Sequence, residues 1–210
     1  SAAVNEKVKR IIFCSSMARY GEQQSPFNEN MKPMPVDPYA ISKVGTDLVG
    51  RFYAEAYDMK VITTRMFTHT GPRRGDVFAE SSFAKQIAMI EEGHLPPVIK
   101  VGNLDSLRTW SDVRDAVRAY HMLVTVDPIG GEYYNIGGEH SCTVGEMLEY
   151  LVSKSTVKDI QIETDPGRLR PIDADLQVPD TTKFCAHTGW TPQISFEKTM
   201  DDLLDYWRAR

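Results

Sequence analysis

Short apolar runs alternate with amphipathic stretches along this chain. KRIIFCSS, Lys9 to Ser16, is apolar, rich in β-formers and ends in small hydroxyl residues. Such a run predicts a buried parallel strand whose carboxyl end opens onto a site. A polar loop with Pro26, Pro33 and Pro35 follows, after which Asp37 and Pro38 supply an N-cap and a first helical position. The predicted helix covers about 39–57, with Val44, Leu48, Phe52 and Ala56 recurring on one face. KVITTRMF predicts the next strand, and the loop THTGPRRG leads to a helix from about Ala79 to Glu92, stopped by Gly93. PPVIKVG reads as a short strand, SDVRDAVRAYHMLV as a helix capped by Ser111, and EYYNIGG as a strand ended by glycines. Thr143 and Glu146 form a capping box at the head of TVGEMLEYLVSK. IQIET is strand-like, a short helix begins near Thr181, and SFEKTMDDLLDYWRAR closes the chain as a helix capped by Ser195 with Arg208 and Arg210 at its end.

Strands alternating with helices predict an α/β fold with a mainly parallel sheet in its first half. The elements after about Gly71 are shorter and predict a smaller lobe. No internal repeat, low-complexity tract or flexible linker stands out.

Composition narrows the function classes. A chain of 210 residues, 41% hydrophobic, can bury a sizeable core. Its net charge of -5 leaves no basic stripe for nucleic acid or anionic lipid. No unbroken apolar run approaches the roughly 18 residues a membrane span needs, and no signal-peptide pattern opens the chain. Cys14, Cys142 and Cys185 lack metal-like or disulfide-like spacing, which fits a reducing cytoplasm. His140 and Cys142 have no second pair with which to complete a zinc site. No nucleic-acid, membrane or metal partner is therefore expected. The chain begins at Ser1 without Met, which reads as a fragment or a processed protein.

Candidate chemistry centres on DPYAISK. Tyr39 and Lys43 stand four residues apart, on one face of the predicted helix. A nearby ammonium favours the phenolate of a tyrosine, which can then take or give the proton of a hydroxyl or ketone. Ser16, at the preceding strand end, is placed to hydrogen-bond the same oxygen. The spacing recurs at Tyr150 and Lys154, which no strand-end hydroxyl precedes, so that copy reads as an ordinary helical pair.

CSSMARYG followed by DPYAISK resembles the extended short-chain dehydrogenases/reductases of the NAD-dependent epimerase/dehydratase family, which modify nucleotide sugars. The likeness continues through RMFTHTGPRRG, VGNLDSLRTWSDVRDAVRAY and RLRPIDADL, the middle segment resembling the GDP-sugar branch. The resemblance implies a Rossmann-type doubly wound parallel sheet, of which residues 1–70 form the remaining part and carry the catalytic group. Residues 71–210 would then form mainly a nucleotide-sugar-binding lobe, with some segments returning to the sheet. It further implies Ser16, Tyr39 and Lys43 as catalytic residues, and Tyr39, Lys43 and Ser15 as contacts to NAD or NADP. Thr68, Arg74, Arg108 and Arg170 become the substrate contacts; a planar guanidinium suits a diphosphate. Arg73 stands beside Arg74 as another candidate. Asp112 and Asp115 read as a cap and a solvated helix face. A homodimer through the Tyr–Lys helix follows from the same resemblance.

The chain departs from the family pattern in three places. No G-x-x-G-x-x-G follows an opening strand, so the main cofactor grip is expected from a longer chain or another chain. Met17 and Ala18 follow Ser16, where 4,6-dehydratases carry an acid. Thr68 replaces the asparagine of R-x-F-N and offers fewer hydrogen bonds. The expected chemistry is hydride transfer at C4 of a nucleotide sugar, a GDP-hexose, as a 4-keto reductase or 4-epimerase. Two alternatives stay open: a GDP-mannose 4,6-dehydratase whose acid comes from elsewhere, such as Glu22 or Glu80, and a non-catalytic sugar-nucleotide-binding module.

Overall fold

The computed structural model describes residues 2–6, 8–126, 131–169 and 176–210. A four-residue helix α1 (Ala2–Asn5) precedes β1 (Ile11–Ser16), a 3-10 turn (Met17–Tyr20) and the long helix α2 (Pro38–Tyr57). Then come β2 (Val61–Met66), β3 (His69–Thr70), α3 (Ala79–Glu91), β4 (Val98–Val101) and β5 (Leu107–Asp112). The remainder runs α4 (Val113–Thr125), β6 (Tyr133–Ile136), β7 (His140–Thr143), α5 (Val144–Ser153), β8 (Gln161–Thr164), β9 (Leu176–Gln177), α6 (Thr182–Thr188) and α7 (Phe196–Arg208).

β1, β2 and β6 form a parallel sheet in that order, with Ser16 opposite Met66 and Met66 opposite Ile136. All six residues of β2 are buried, as a central parallel strand covered on both faces requires. One face packs Ile62, Met66 and Ile136 against Ala116, Ala119 and Leu123 of α4, with Phe184 and Trp190 closing the cluster. The other face receives α2. A Cβ on Gly50 would meet the Phe13 ring at 2.7 Å and Thr63 Oγ1 at 2.9 Å, so only glycine lets the helix lie this close.

The hydrophobic face read from the α2 sequence is not the buried one. Ala40, Asp47 and Gly50 face inward, whereas Leu48 and Phe52 are 61% and 56% exposed. Close approach to the sheet selects small residues, which turns the larger ones outward.

β5 organises the second half. It runs parallel to β3 and β9 and antiparallel to β7. β4 and β8 pair in parallel, and a separate core of α3, α5 and α7 residues, among them Ile87, Leu148 and Leu203, packs around them. Ser111 belongs to β5 and does not cap α4: its N–H and its hydroxyl both donate to the Thr68 carbonyl, at 3.1 and 3.2 Å. Asp112 caps instead, accepting from Arg114 N at 2.7 Å. Neither aspartate is solvated. Asp112 is fully buried, and buried Asp115 accepts from the backbone N–H groups of Gln193 and Ile194, each at 2.9 Å. Both hold the chain of α7 and its approach against α4. No helix among the described residues is long and apolar enough to cross a membrane.

Candidate active site

The chain leaves β1 at Ser16 and β2 at Met66, which are in register, so both exits open at one sheet end. Ser16 caps the 3-10 turn, its Oγ accepting from Ala18 N at 3.2 Å while it keeps its own proton to donate. Gly21 ends that turn with φ 61°, and a Cβ there would collide with the Met34 carbonyl at 1.9 Å. The 21–36 loop thus folds back closely enough for Met34 N to donate to Arg19 O at 2.9 Å.

That return delivers Asp37, which caps α2 by accepting from Ala40 N at 2.6 Å. Tyr39 in the first turn is 56% exposed and lines a cleft. The Lys43 ammonium lies 5.4 Å from the Tyr39 ring centroid and donates to the Cys14 carbonyl at 2.8 Å, on the strand carrying Ser16. Ser15 is buried, and its hydroxyl donates to the Lys43 carbonyl at 3.1 Å. It ties strand to helix; Ser15, Ser16 and Lys43 do not line the cleft, which this group meets through Tyr39 and the neighbouring Met17 and Ala18.

A buried ionic network underlies this arrangement. Asp47, one helical turn beyond Lys43, accepts from Arg65 Nε at 2.9 Å, and the same oxygen lies 2.8 Å from Arg19 Nε. Arg65 also donates to Tyr20 Oη at 3.0 Å and to the Glu29 carbonyl at 2.8 Å. Tyr20 donates to Asn135 Oδ1 at 2.7 Å, and Glu29 accepts from Asn135 N at 2.8 Å. Burial and the neighbouring Arg65 lower the Arg19 pKa from its ordinary value, with Asp47 opposing them. Burial raises that of Tyr20. The network clamps α2, the 3-10 turn, β2 and β6 together, setting the Tyr–Lys helix against the Ser16 strand.

The cleft, about 460 Å³ in volume, brings Tyr39 and Thr68 together with Arg74, Arg108 and Arg168. Thr68 reaches it beside its own carbonyl bonds to Ser111. Arg74 Nε donates to Glu80 Oε1 at 3.1 Å, and Arg168 Nη1 donates to Ser82 Oγ at 3.0 Å. Arg73 sits in a turn with φ 75° and is not among the lining residues. Arg170 lies outside the described residues. Arg168, two positions earlier in RLRP, was not singled out from the sequence. Its signal is the preceding DPG turn, where Asp165 Oδ1 accepts from Gly167 N at 2.9 Å and turns the chain toward the cleft. The second Tyr–Lys copy does not line it: Tyr150 donates to Asp201 Oδ1 at 2.9 Å and Lys154 pairs with the same aspartate, joining α5 to α7.

Residues 1–203 match the family model described as GDP-mannose 4,6 dehydratase. The GDP-6-deoxy-D-mannose reductase of Pseudomonas aeruginosa is 29% identical over 202 residues, covering 95% of this chain and 66% of the relative. GDP-mannose 4,6-dehydratase of Yersinia enterocolitica is 26% identical over 226 residues, covering 95% and 60%. The chain thus spans less than two thirds of the length of these relatives. Among solved structures, RMD from Pseudomonas aeruginosa complexed with NADPH is 27% identical with a TM-score of 0.88, covering 95% of this chain and 66% of the other. The dTDP-glucose 4,6-dehydratase of Bacillus anthracis, complexed with NAD, shares the fold at a TM-score of 0.84 and 22% identity, covering all of this chain and 65% of the other. The α/β architecture with its parallel sheet is that of the Rossmann-type proteins, and the chain belongs to the GDP-mannose 4,6-dehydratase family of extended short-chain dehydrogenases/reductases.

Proposed function

We propose that the protein modifies a nucleotide sugar, best a GDP-hexose, by NAD(P)-dependent redox chemistry at sugar C4, as a 4-keto reductase or 4-epimerase. One observation carries this reading: a cleft that holds an exposed tyrosine with a lysine behind it also holds three arginines. The arginines supply bidentate donors to a diphosphate. In the reductive direction the C4 carbonyl oxygen takes the Tyr39 hydroxyl proton as C4 gains a hydride, and solvent restores the tyrosine proton. Ser16 donates a hydrogen bond to the same oxygen, and Lys43 favours the transient phenolate. The Lys43 ammonium and Tyr39 hydroxyl are donors that suit the ribose diol of a nicotinamide nucleotide, so these residues fit that cofactor. A bound NAD or NADP supplies or accepts the hydride. Ser15, whose hydroxyl is committed to Lys43, contributes by holding the lysine's helix.

Met17 and Ala18, both lining the cleft, can move no proton, which favours redox chemistry over dehydration. The family match and the carboxylate of Glu80 in the same cleft support GDP-mannose 4,6-dehydration as a second reading. Incubating the complete protein with NADP and GDP-mannose separates the two, because only a dehydratase releases a GDP-4-keto-6-deoxy sugar. Presenting that product with NADPH then tests reduction directly. Inversion of a GDP-hexose at C4 with NAD tests epimerisation; failure of all three reactions, with GDP-mannose still bound without dinucleotide, would leave a non-catalytic binding module. The proposed lobes are residues 1–70 with returning β6, and most of 71–210. The exposed apolar face of α2 supports a homodimer through that helix.

A further inference from the structure

Glu80 is an anomaly in this cleft. Arg74, Arg108 and Arg168 suit an anionic ligand, yet a carboxylate only 4% exposed lines the same volume. With no other task it would repel a diphosphate and weaken binding. Its Oε1 accepts from Arg74 Nε at 3.1 Å, and the Arg74 guanidinium carbon lies 3.4 Å from the Phe78 ring centroid. One contact holds the guanidinium at its edge and the other at its face. The backbone is held as well: Arg74 N donates to Gly71 O at 3.1 Å, and Ser81 Oγ donates to Arg74 O at 2.6 Å. Ser81 is itself fixed by Trp207 Nε1 at 2.9 Å.

We propose that Glu80 is a positioning residue for the substrate: it fixes Arg74 on Phe78 so that the two Nη groups are presented, ordered in advance, to the ligand's diphosphate. The proposal rests on the nucleotide-sugar reading of the cleft. Ordering the guanidinium before binding removes a conformational cost that the ligand would otherwise meet. The local carboxylate repulsion is the smaller effect because Arg74 already neutralises it.

The sign of one measurement decides between positioning and mere charge. Calorimetry of the protein with GDP and GDP-mannose, in wild type, Glu80→Ala and Glu80→Gln, is expected to show affinity weakened about tenfold in Glu80→Ala and less in Glu80→Gln, whose amide oxygen still accepts from Arg74 Nε. The loss should fall on Kd and KM, and Arg74→Ala should remove any further effect of Glu80→Ala; a fall in kcat with Kd unchanged would make Glu80 the dehydration acid and overturn the proposal. Unchanged or tighter binding in both variants would overturn the proposal, since removing an idle carboxylate from an anion site strengthens binding. A ligand-free readout keeps this separate from the function itself. The Arg74 Nε–H resonance should be protected from exchange in wild type and lose that protection in Glu80→Ala, which removes the acceptor, and equal protection in both would also overturn it. Wild type that binds neither ligand counts against the nucleotide-sugar reading, while the resonance still decides whether Glu80 fixes Arg74.

Discussion

Asp47 and Arg65 form a buried ion pair, Oδ2 to Nε at 2.9 Å, with side chains 7% and 3% exposed. The pair joins α2 to β2 directly beneath the Tyr39–Lys43 turn, and Arg19 shares the same oxygen. A carboxylate between two buried guanidiniums is costly to remove, because both cations then lack their counter-charge. Asp47→Ala should therefore lower unfolding free energy by roughly 3–5 kcal/mol. Urea denaturation checks this, and a loss below about 1 kcal/mol would show the network to be incidental.

Tyr39→Phe removes the proposed proton donor and leaves the ring in place. Turnover in the complete protein should fall by about 10²–10⁴, the usual share of general acid–base catalysis. Affinity for a GDP-sugar should change little, since in the proposed function the arginines carry that binding. Steady-state kinetics beside calorimetry separates the two effects, and unaltered kcat would remove Tyr39 from the mechanism.

Acid should destabilise the fold in a defined window. Burial works against the Asp112 carboxylate, but hydrogen bonds from the Arg114 side chain and backbone and from Thr199 outweigh it and lower the pKa. The Arg208 side chain does the same for Glu91. Groups depressed in the folded state contribute stability that is complete above the unfolded carboxyl value, about 4, and lost as pH falls through the folded value. Stability should hold between about pH 7 and 5 and drop below about pH 4. Arg208→Ala should cost more at pH 7 than at pH 3. A urea midpoint that stays constant down to pH 3 would contradict the assignment.

The outward face of α2 carries Ile41, Leu48, Val49 and Phe52, each close to half exposed or more. Apolar side chains aligned on one helix are what a partner surface would bury. In the proposed homodimer, Leu48→Glu with Phe52→Glu should shift the protein to monomer in sedimentation equilibrium while leaving its thermal unfolding cooperative. An unchanged mass for the double variant would exclude this face as the contact.

Local chemistry was legible wherever neighbours in sequence decide the structure. Asp37 and Pro38 announced the start of α2, and Thr143 with Glu146 announced α5, where Thr143 N donates to Glu146 Oε2 at 2.7 Å and Glu146 N to Thr143 Oγ1 at 3.0 Å. KRIIFCSS and KVITTRMF read as strands because a buried parallel strand needs a continuous apolar run. Ser16, Tyr39 and Lys43 stand out as the proposed trio through the resemblance of CSSMARYG and DPYAISK to the family, because the Tyr–Lys spacing alone recurs at Tyr150 and Lys154.

Long-range pairing was not legible. Nothing local tells Ser111 that its N–H will meet the Thr68 carbonyl, so the last two residues of β5, Ser111 and Asp112, read as a helix start. Asp112 reads correctly as a cap, but the burial of Asp112 and Asp115 is not legible because their partners, Thr199, Gln193 and Ile194, lie about eighty residues away. The buried face of α2 was misread for the same reason: the sheet beneath it, through Phe13 and Thr63, selected glycine over the larger residues.

By itself, the sequence determined most element types, the caps at Asp37, Thr143 and Ser195, and, through resemblance, which trio to propose, since these follow from propensity, hydrogen bonds between near neighbours and residue identity. Only the tertiary structure decided which arginines share a cleft with Tyr39, that Glu80 grips Arg74 there, and that Asp47 binds two guanidiniums under the site. The cleft and the Asp47 network join residues far apart in the chain, Glu80 meets Arg74 only through the fold of the loop before α3, and buried charges must find each other once packing encloses them.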